Sequence, residues 1–147
     1  QALDDVRLRK MVLETGQILS TALRARGYEM SELYKPTHRN HPCVKWARES
    51  SGNLQWLFNY LFELSTEYER RFCKQHKTWK DLWYVLQTAV GIEYDWAEIM
   101  TPFADCSGVD SFNVHDNYKK CLRRKWKQDE EKNRAPKWSG REAPVWR

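Results

Sequence analysis

The fold is decided by residues 50–72, SSGNLQWLFNYLFELSTEYERRF. Apolar side chains recur there every three or four residues, as they do along one face of an α-helix. The repeating positions are Leu54, Leu57, Phe58, Leu61, Leu64, Tyr68 and Phe72. The serines and Asn53 before them are good N-cap residues, because their side chains accept amide hydrogens of the first helical turn. The stretch therefore predicts a long central helix with one buried face.

Helical spacing also appears on both sides of this stretch. A first helix begins near Leu8 and is ended by Gly27, a residue that readily adopts the left-handed cap conformation. A short helix is predicted near Cys43–Glu49. A third long helix begins with the capping box Thr78–Asp81 and ends at Gly91. The last predicted helix runs from Phe112 to about Lys132. The last helix is predicted to turn Val114, Tyr118, Cys121, Leu122 and Trp126 inward.

The chain as a whole is predicted to be all-α. It has 147 residues, 41% of them hydrophobic, with eight tryptophans, which suits one compact helical domain over residues 1–147. About four to five helices are expected, followed by an irregular Trp-rich tail whose two tryptophans dock on the body. The opening Gln1-Ala-Leu-Asp-Asp runs directly into a helical pattern, so an N-terminal segment is expected to be missing.

Charge is strongly segregated along the chain. Residues 31–80 carry a net charge of +4, residues 81–116 carry −7, and residues 117–147 carry +7. We expect the acidic block to neutralise part of the basic charge and leave a positive face for a polyanion. A solvated basic helix without a ligand is the alternative, because charge runs are common on surfaces.

One acidic residue of the first helix is a candidate for catalysis. Glu14 lies at helical spacing from Arg7, Lys10 and Gln17, so the four side chains share one side of that helix. A carboxylate flanked by cations can act as an acid, a base or a stabiliser of positive charge. A solvent-facing ion pair between Lys10 and Glu14 is the plainer interpretation.

The histidines form a second candidate group. His38-x-x-His41 and Cys73-x-x-His76 have spacings that would permit zinc ligation if the two segments met. They lack paired Cys-x-x-Cys ligands, so hydrogen bonding to phosphate, base or backbone is favoured. No metal and no cofactor are expected.

Cations and aromatic rings alternate in two stretches, as suits nucleic acid, whose phosphates bind cations and whose unstacked bases pack on flat rings. The candidate DNA-binding residues are Arg7, Lys10, His38, His41, Trp46, Arg48, Arg71, Lys74, His76, Arg123, Arg124 and Lys127. Trp46 is equally suited to the core, which is the usual place for a helical tryptophan.

Several classes of protein are excluded. No apolar run is long enough to span a membrane, and the four cysteines are too widely spaced for a compact disulfide framework. The sequence has no Gly-rich phosphate loop, Gly-x-Ser-x-Gly elbow or His-Glu-x-x-His pair. We expect a cytoplasmic protein with reduced thiols and no membrane partner.

Motifs throughout the chain resemble a family of small bacteriophage proteins with no assigned activity. They are Leu3-Asp4-Asp5, Lys10-Met-Val-Leu-Glu-Thr-Gly-Gln17, Thr37-His-Arg-Asn-His-Pro-Cys-Val-Lys-Trp46 with Arg48, Asn53 with Trp56-Leu57, Glu67-Tyr68 with Arg71, Lys74 and His76, and Trp138 with Arg141 and Pro144. This resemblance implies a phage gene product that works in the cytoplasm of its host.

The pattern around Glu14 also resembles, more remotely, the pyrimidine-dimer DNA glycosylases of the endonuclease V type, which are compact helical proteins. In that family an N-terminal amine attacks C1′ of the damaged nucleotide, and a glutamate on the first long helix supports glycosidic cleavage and β-elimination. The resemblance implies this role for Glu14. The chain departs from the pattern at Leu13 and Gln17, where basic residues are expected, and at Arg7, where a histidine is expected.

The leading hypothesis is thus a DNA-binding phage protein with glycosylase and AP lyase activity at C1′ of a damaged nucleotide. One alternative is a non-catalytic nucleic-acid-binding or host-interaction protein, in which Glu14 is an ordinary helix residue. The other is a nucleotide-processing enzyme that arranges His38, His41 and His76 around a phosphate.

Overall fold

A computed structural model describes residues 2–92, 99–111 and 113–147. It contains five helices: α1 (Asp5–Ala25), α2 (Pro42–Glu49), α3 (Ser51–Phe72), α4 (Lys77–Ile92) and α5 (Val114–Glu131). The described residues include no β-strand, and the predicted all-α class is confirmed. None of the described helices is both long and apolar enough to cross a bilayer.

Two of the four predicted helix ends follow the predicted capping chemistry. The Ser50 side chain accepts the N–H of Asn53 at 3.1 Å and starts α3, while Gly27 follows α1 with φ of +97°. The predicted capping box at Thr78 is wrong. Helix α4 begins at Lys77, and Nδ1 of His76 accepts the N–H of Thr78 at 3.2 Å. The helix also continues past Gly91, because glycine stops a helix only where the backbone turns left-handed there.

The hydrophobic core lies between the first four helices. Helices α1 and α3 pack against each other, and both pack against α2 and α4. The predicted central helix α3 therefore shares the central position with α1. Core residues that are almost fully buried include Leu8, Val12, Leu19, Leu54, Leu61, Leu82 and Leu86.

Gly16 allows α1 to approach α4 closely. A Cβ atom at this position would lie 2.5 Å from Cγ2 of Thr78 and 3.0 Å from Cδ1 of Leu82. Such distances are below van der Waals contact, so any side chain there would push the two helices apart. The glycine thereby fixes the distance between α4 and the helix that carries Glu14.

Two consecutive buried carboxylates fix the start of α1. Asp4 is the N-cap residue, and it also accepts hydrogen bonds from Arg7 at 2.8 Å and from Nε1 of Trp126 at 2.7 Å. Asp5 accepts hydrogen bonds from the backbone and side chain of Ser139 and from Arg71. These bonds join α1 to α3, α5 and the tail.

Arg71 is the buried cation of this network. Its guanidinium bonds to Glu67 one helical turn away and to the carbonyl of Leu3, and its side chain is only 1% exposed. Arg141 from the tail pairs with the same Glu67 carboxylate. Burial alone would raise the pKa of Glu67, but the hydrogen bonds from Arg71 and Arg141 outweigh that effect and lower it.

Helix α5 and the tail meet around Trp126. The ring of Trp138 packs on this buried indole at 5.3 Å and that of Trp146 at 5.5 Å, so the predicted docking of the two tail tryptophans is confirmed. The predicted inward face of α5 is partly wrong. Tyr118 is exposed, and Asn117 is buried in its place because its amide donates to Asp105 and to the carbonyl of Ser111. Phe112, the predicted start of this helix, lies outside the described residues.

We predict that Gly16→Ala lowers the free energy of unfolding by about 1–3 kcal/mol, because the added methyl overpacks the α1–α4 contact. Gly91→Ala is the matched control: it has open space around its Cβ position, so its stability should be unchanged or slightly higher. Urea denaturation measures both effects. Adding Thr78→Ser to Gly16→Ala removes the clashing Cγ2 and should restore part of the loss, whereas no restoration would contradict the packing argument.

We also predict that acid destabilises the protein through Glu67. A carboxylate whose pKa is lower in the folded state stabilises the fold above its unfolded pKa, and that contribution is lost as the pH falls through the folded value. The free energy of unfolding should therefore fall below about pH 4.5, the ordinary pKa of glutamate. In Glu67→Gln this fall should be shallower, and in the control Glu63→Gln, which changes an exposed glutamate, it should match the wild type. If the free energy of unfolding fell equally with acid in all three proteins, Glu67 would not be the source of the acid sensitivity.

Candidate functional site

Glu14 lies on the exposed side of α1. Its carboxylate is 3.4 Å from Nζ of Lys10, and the two side chains are 41% and 68% exposed. The plainer prediction of a solvent-facing ion pair therefore describes the contact that is present. An exposed pair of this kind contributes little to stability. The fold does not depend on Glu14, and its carboxylate is open to a ligand.

The first turn of α2 lies within electrostatic range of this carboxylate. Pro42 begins the helix, and Nδ1 of the exposed His41 accepts the N–H of Cys43 at 3.2 Å as its N-cap. Burial and the neighbouring Cys106 raise the pKa of Cys43 to about 12, and the negative charge of Glu14 adds to this rise. The free Cys43 thiol is therefore protonated near neutral pH, and a metal ion that binds its sulfur has to displace the proton.

The loop that carries the histidines is held on α1. Arg24 donates hydrogen bonds to the carbonyls of Met30, Leu33 and Tyr34, and the hydroxyl of Thr21 accepts the N–H of Thr37. These bonds give the loop a defined path between α1 and α2. They fix the position of the residues that start α2, next to Glu14.

The histidine groups are not brought together as a four-ligand set. His38 is exposed with φ of +46°, His41 caps α2, and His76 caps α4. Within the described residues, the one group of three or more His, Cys, Asp or Glu side chains close enough to share a metal ion is His41, Cys43 and Cys106. Burial lowers the pKa of His76, which keeps this imidazole neutral near neutral pH.

Two of the predicted phosphate-binding arginines are used inside the fold. Arg7 binds Asp4 and Asp129 at 2.8 Å each, and Arg71 is buried between Asp5 and Glu67. A guanidinium that is already paired with two carboxylates has its charge balanced inside the protein, so it attracts a phosphate only weakly. Neither arginine is therefore retained for a DNA contact.

Trp46 belongs to the core. It is 6% exposed, and its Nε1 donates to the carbonyl of Thr101. Its ring contacts Phe103 and Trp56, and Trp56 in turn stacks on Tyr60 at 5.2 Å. With 36% of its surface exposed, Trp56 is the tryptophan of this cluster that a ligand can reach.

The remaining predicted cations lie at the surface. Arg48 is exposed on α2 together with Lys45, one turn earlier, and Lys74 is exposed beyond the end of α3. Arg123 donates to the carbonyl of Trp146, Arg124 donates to that of Ser107, and Lys127 is exposed. The basic residues thus occur on α2 and, separately, on α5.

The proximity of Cys106 to Cys43 was not predicted from the sequence. Their sulfur atoms are 3.6 Å apart although 63 residues separate them in the chain. His41-Pro-Cys43 was visible as a short run of possible ligands, but nothing local pointed to a partner so distant. The thiol pair is a product of tertiary packing.

Comparison with known proteins identifies a family for the N-terminal part. Residues 1–81 match the family model described as pyrimidine dimer DNA glycosylase. The matched region contains α1, α2 and α3, with Glu14, His41 and Cys43, while Cys106, α5 and the tail lie beyond it. No curated protein and no solved structure matches the chain. Because the match covers more than half of its residues, the chain belongs to the pyrimidine dimer DNA glycosylase family.

Proposed function

We propose that this protein cleaves the glycosidic bond of a damaged pyrimidine nucleotide in DNA, with Glu14 as its catalytic carboxylate. The observation that carries the proposal is the position of Glu14 in the part of the chain that matches the family. It is ligand-accessible, it is paired with Lys10, and it lies beside the first turn of α2. Exposed Lys45 and Arg48 follow on the same helix, where a DNA backbone could bind.

The proposed reaction has two stages. An amine forms a bond to C1′ while the bond from C1′ to the base breaks, and the base leaves with the electron pair. The Glu14 carboxylate stabilises the positive charge that develops on the sugar. The C1′–O4′ bond then breaks, O4′ takes up a proton, and the nitrogen is left as a protonated imine of C1′. The same carboxylate removes a proton from C2′, the electron pair of that C–H bond forms the C2′–C3′ double bond, and the 3′ phosphate leaves with the electrons of the C3′–O bond. We assign the amine to the N-terminus of the protein on the resemblance to endonuclease V-type glycosylases, and Gln1 lies outside the described residues.

The damaged nucleotide has to leave the base stack before C1′ can be attacked. The buried Trp46, with its indole hydrogen-bonded, is not placed to enter the stack. Trp56 of the same aromatic cluster is the better candidate for contact with an unstacked base, because 36% of its surface is exposed although its ring stacks on Tyr60.

We predict that Glu14→Gln lowers cleavage of DNA that contains pyrimidine dimers by about 10²- to 10⁴-fold, as for the loss of a principal acid or base. The variant keeps the shape of the side chain and removes its charge, so fold and DNA affinity should change little. Strand cleavage and borohydride trapping of the imine are the measurements, made on protein with its natural amino terminus.

Glu69→Gln, which changes an exposed carboxylate on α3, is the matched control and should cleave like the wild type. Wild-type activity in Glu14→Gln would show that the assigned role is wrong. Binding without any cleavage or trapping by the wild-type protein would favour the non-catalytic alternative.

A second candidate function rests on the basic block of residues 117–147. This block carries a net charge of +7 and lies outside residues 1–81, which match the family. Membership of the family therefore does not explain its basic charge. A nucleic-acid-binding protein that uses α5 and makes no catalytic contact would need this block and not Glu14. The two candidate functions differ in where the DNA backbone binds, which is at α2 for the glycosylase and at α5 for the non-catalytic protein.

We predict that the double variant Lys45→Ala/Arg48→Ala lowers the dependence of DNA affinity on salt. Each phosphate contact contributes about 0.9 to the slope of log K against log salt, so two lost contacts lower it by up to about 1.8. Lys80→Ala, on the exposed side of α4, is the control. If only a Lys120→Ala/Lys127→Ala variant changes the slope, the DNA lies on α5 and the candidate site beside α2 is not its binding surface.

A further inference from the structure

Three metal-ligating side chains meet beside α2, outside the carboxylate chemistry described above. One nitrogen of His41 and the sulfur atoms of Cys43 and Cys106 all lie within 4.8 Å of one another. All three residues are at least partly accessible, and both cysteines are reduced. We propose that His41, Cys43 and Cys106 bind one zinc ion, with a fourth position open to solvent.

The spacing of the sulfur atoms suits zinc. Tetrahedral zinc with bonds of about 2.3 Å to two thiolates separates the sulfurs by about 3.8 Å, whereas a disulfide requires about 2.05 Å. The observed Sγ–Sγ distance between Cys43 and Cys106 is 3.6 Å. An imidazole nitrogen at the third corner completes a Cys₂His set, which is a known zinc-binding combination with one position left open.

The segment that carries Cys106 is held on both sides. Upstream, Asn53 exchanges hydrogen bonds with Thr101, accepting its N–H at 2.9 Å and donating to its hydroxyl at 2.8 Å. Downstream, the Tyr118 hydroxyl accepts the N–H of Cys106 at 3.1 Å and donates to the carbonyl of Ala104. Because α3 and α5 both anchor it, the segment presents Cys106 to α2 before any ion binds.

The other two ligands are fixed by α2 itself. Cys43 lies in the first turn, and His41 is the N-cap residue, whose Nδ1 would give up the N–H of Cys43 when the imidazole binds the ion, because a neutral imidazole has one acceptor nitrogen. A short helix therefore holds two ligands and an anchored segment holds the third, so little chain entropy is lost when the ion binds. Cys106 lies beyond the family match at residues 1–81, so this site is a feature of the present chain and does not follow from membership of the family.

The site does not depend on the proposed cleavage reaction. Its ligands exclude Glu14 and Lys10, and its occupancy is measured as metal content. Zinc would link the segment at residues 99–111 to the start of α2 and place a divalent charge near the candidate catalytic carboxylate. Metal content therefore tests the zinc site, DNA cleavage tests the proposed function, and either one can fail without the other.

The test is metal analysis of the whole reduced protein, equilibrated with Zn²⁺ and freed of excess metal by gel filtration. We expect about one zinc per chain, and loss of that zinc in Cys43→Ser and in Cys106→Ser. Cys73→Ser is the matched control, because Cys73 is exposed at the end of α3 and outside the ligand set, and it should retain zinc. His41→Asn keeps an N-cap side chain while removing the imidazole, and it should bind more weakly.

Cobalt provides a second readout. Co²⁺ in place of zinc should give thiolate-to-metal charge-transfer absorption that the two serine variants lack, while helical circular dichroism shows that they remain folded. The proposal would be overturned if the reduced wild-type protein took up no zinc. It would also be overturned if Cys43→Ser and Cys106→Ser took up as much zinc as the wild type. A Cys43–Cys106 disulfide in a protein that takes up no zinc after reduction would identify a redox pair instead.

Discussion

The carboxylate of Asp4 caps α1 and accepts a hydrogen bond from the indole of Trp126, 122 residues away in the chain. The next residue, Asp5, binds Arg71 from α3 and Ser139 from the tail. A buried charge is costly unless it is paired and hydrogen-bonded, so all these partners have to be in place together. This requirement sets the start of α1 against α3, α5 and the tail, and the position of every later residue of α1 depends on it.

Along α1, the residues that hold the fold are distinct from the proposed catalytic carboxylate. Its first turn is anchored by the buried carboxylates, and Gly16 sets its distance from α4. Glu14 lies between these two fixed points. Its side chain is 41% exposed, and its ion pair with Lys10 lies at the surface. A rigid support with an accessible carboxylate is what a catalytic group needs, because its direction is then set by the scaffold.

The segment at residues 99–111 runs along α2 and contacts it from its C-terminal end to its first turn. Thr101 is bound to Asn53, Phe103 packs on Trp46, and Cys106 reaches Cys43. This region lies beyond the residues that match the glycosylase family, but it completes the surroundings of a helix that lies within them. The family-matched helices and the later segment thus form one surface, on which the proposed DNA chemistry and the proposed zinc site are neighbours.

The sequence by itself determined the helices, because apolar period and capping act between residues a few positions apart, as Ser50 and Gly27 show. It also led to the proposal of Glu14 as the catalytic carboxylate, through a local pattern that resembles a glycosylase helix. Local pattern does not distinguish a buried cation from an exposed one, so Arg71 was wrongly grouped with the surface cations. The thiol pair of Cys43 and Cys106 was likewise decided only by tertiary structure, because contacts across 63 residues come from the packing of whole helices and anchored segments.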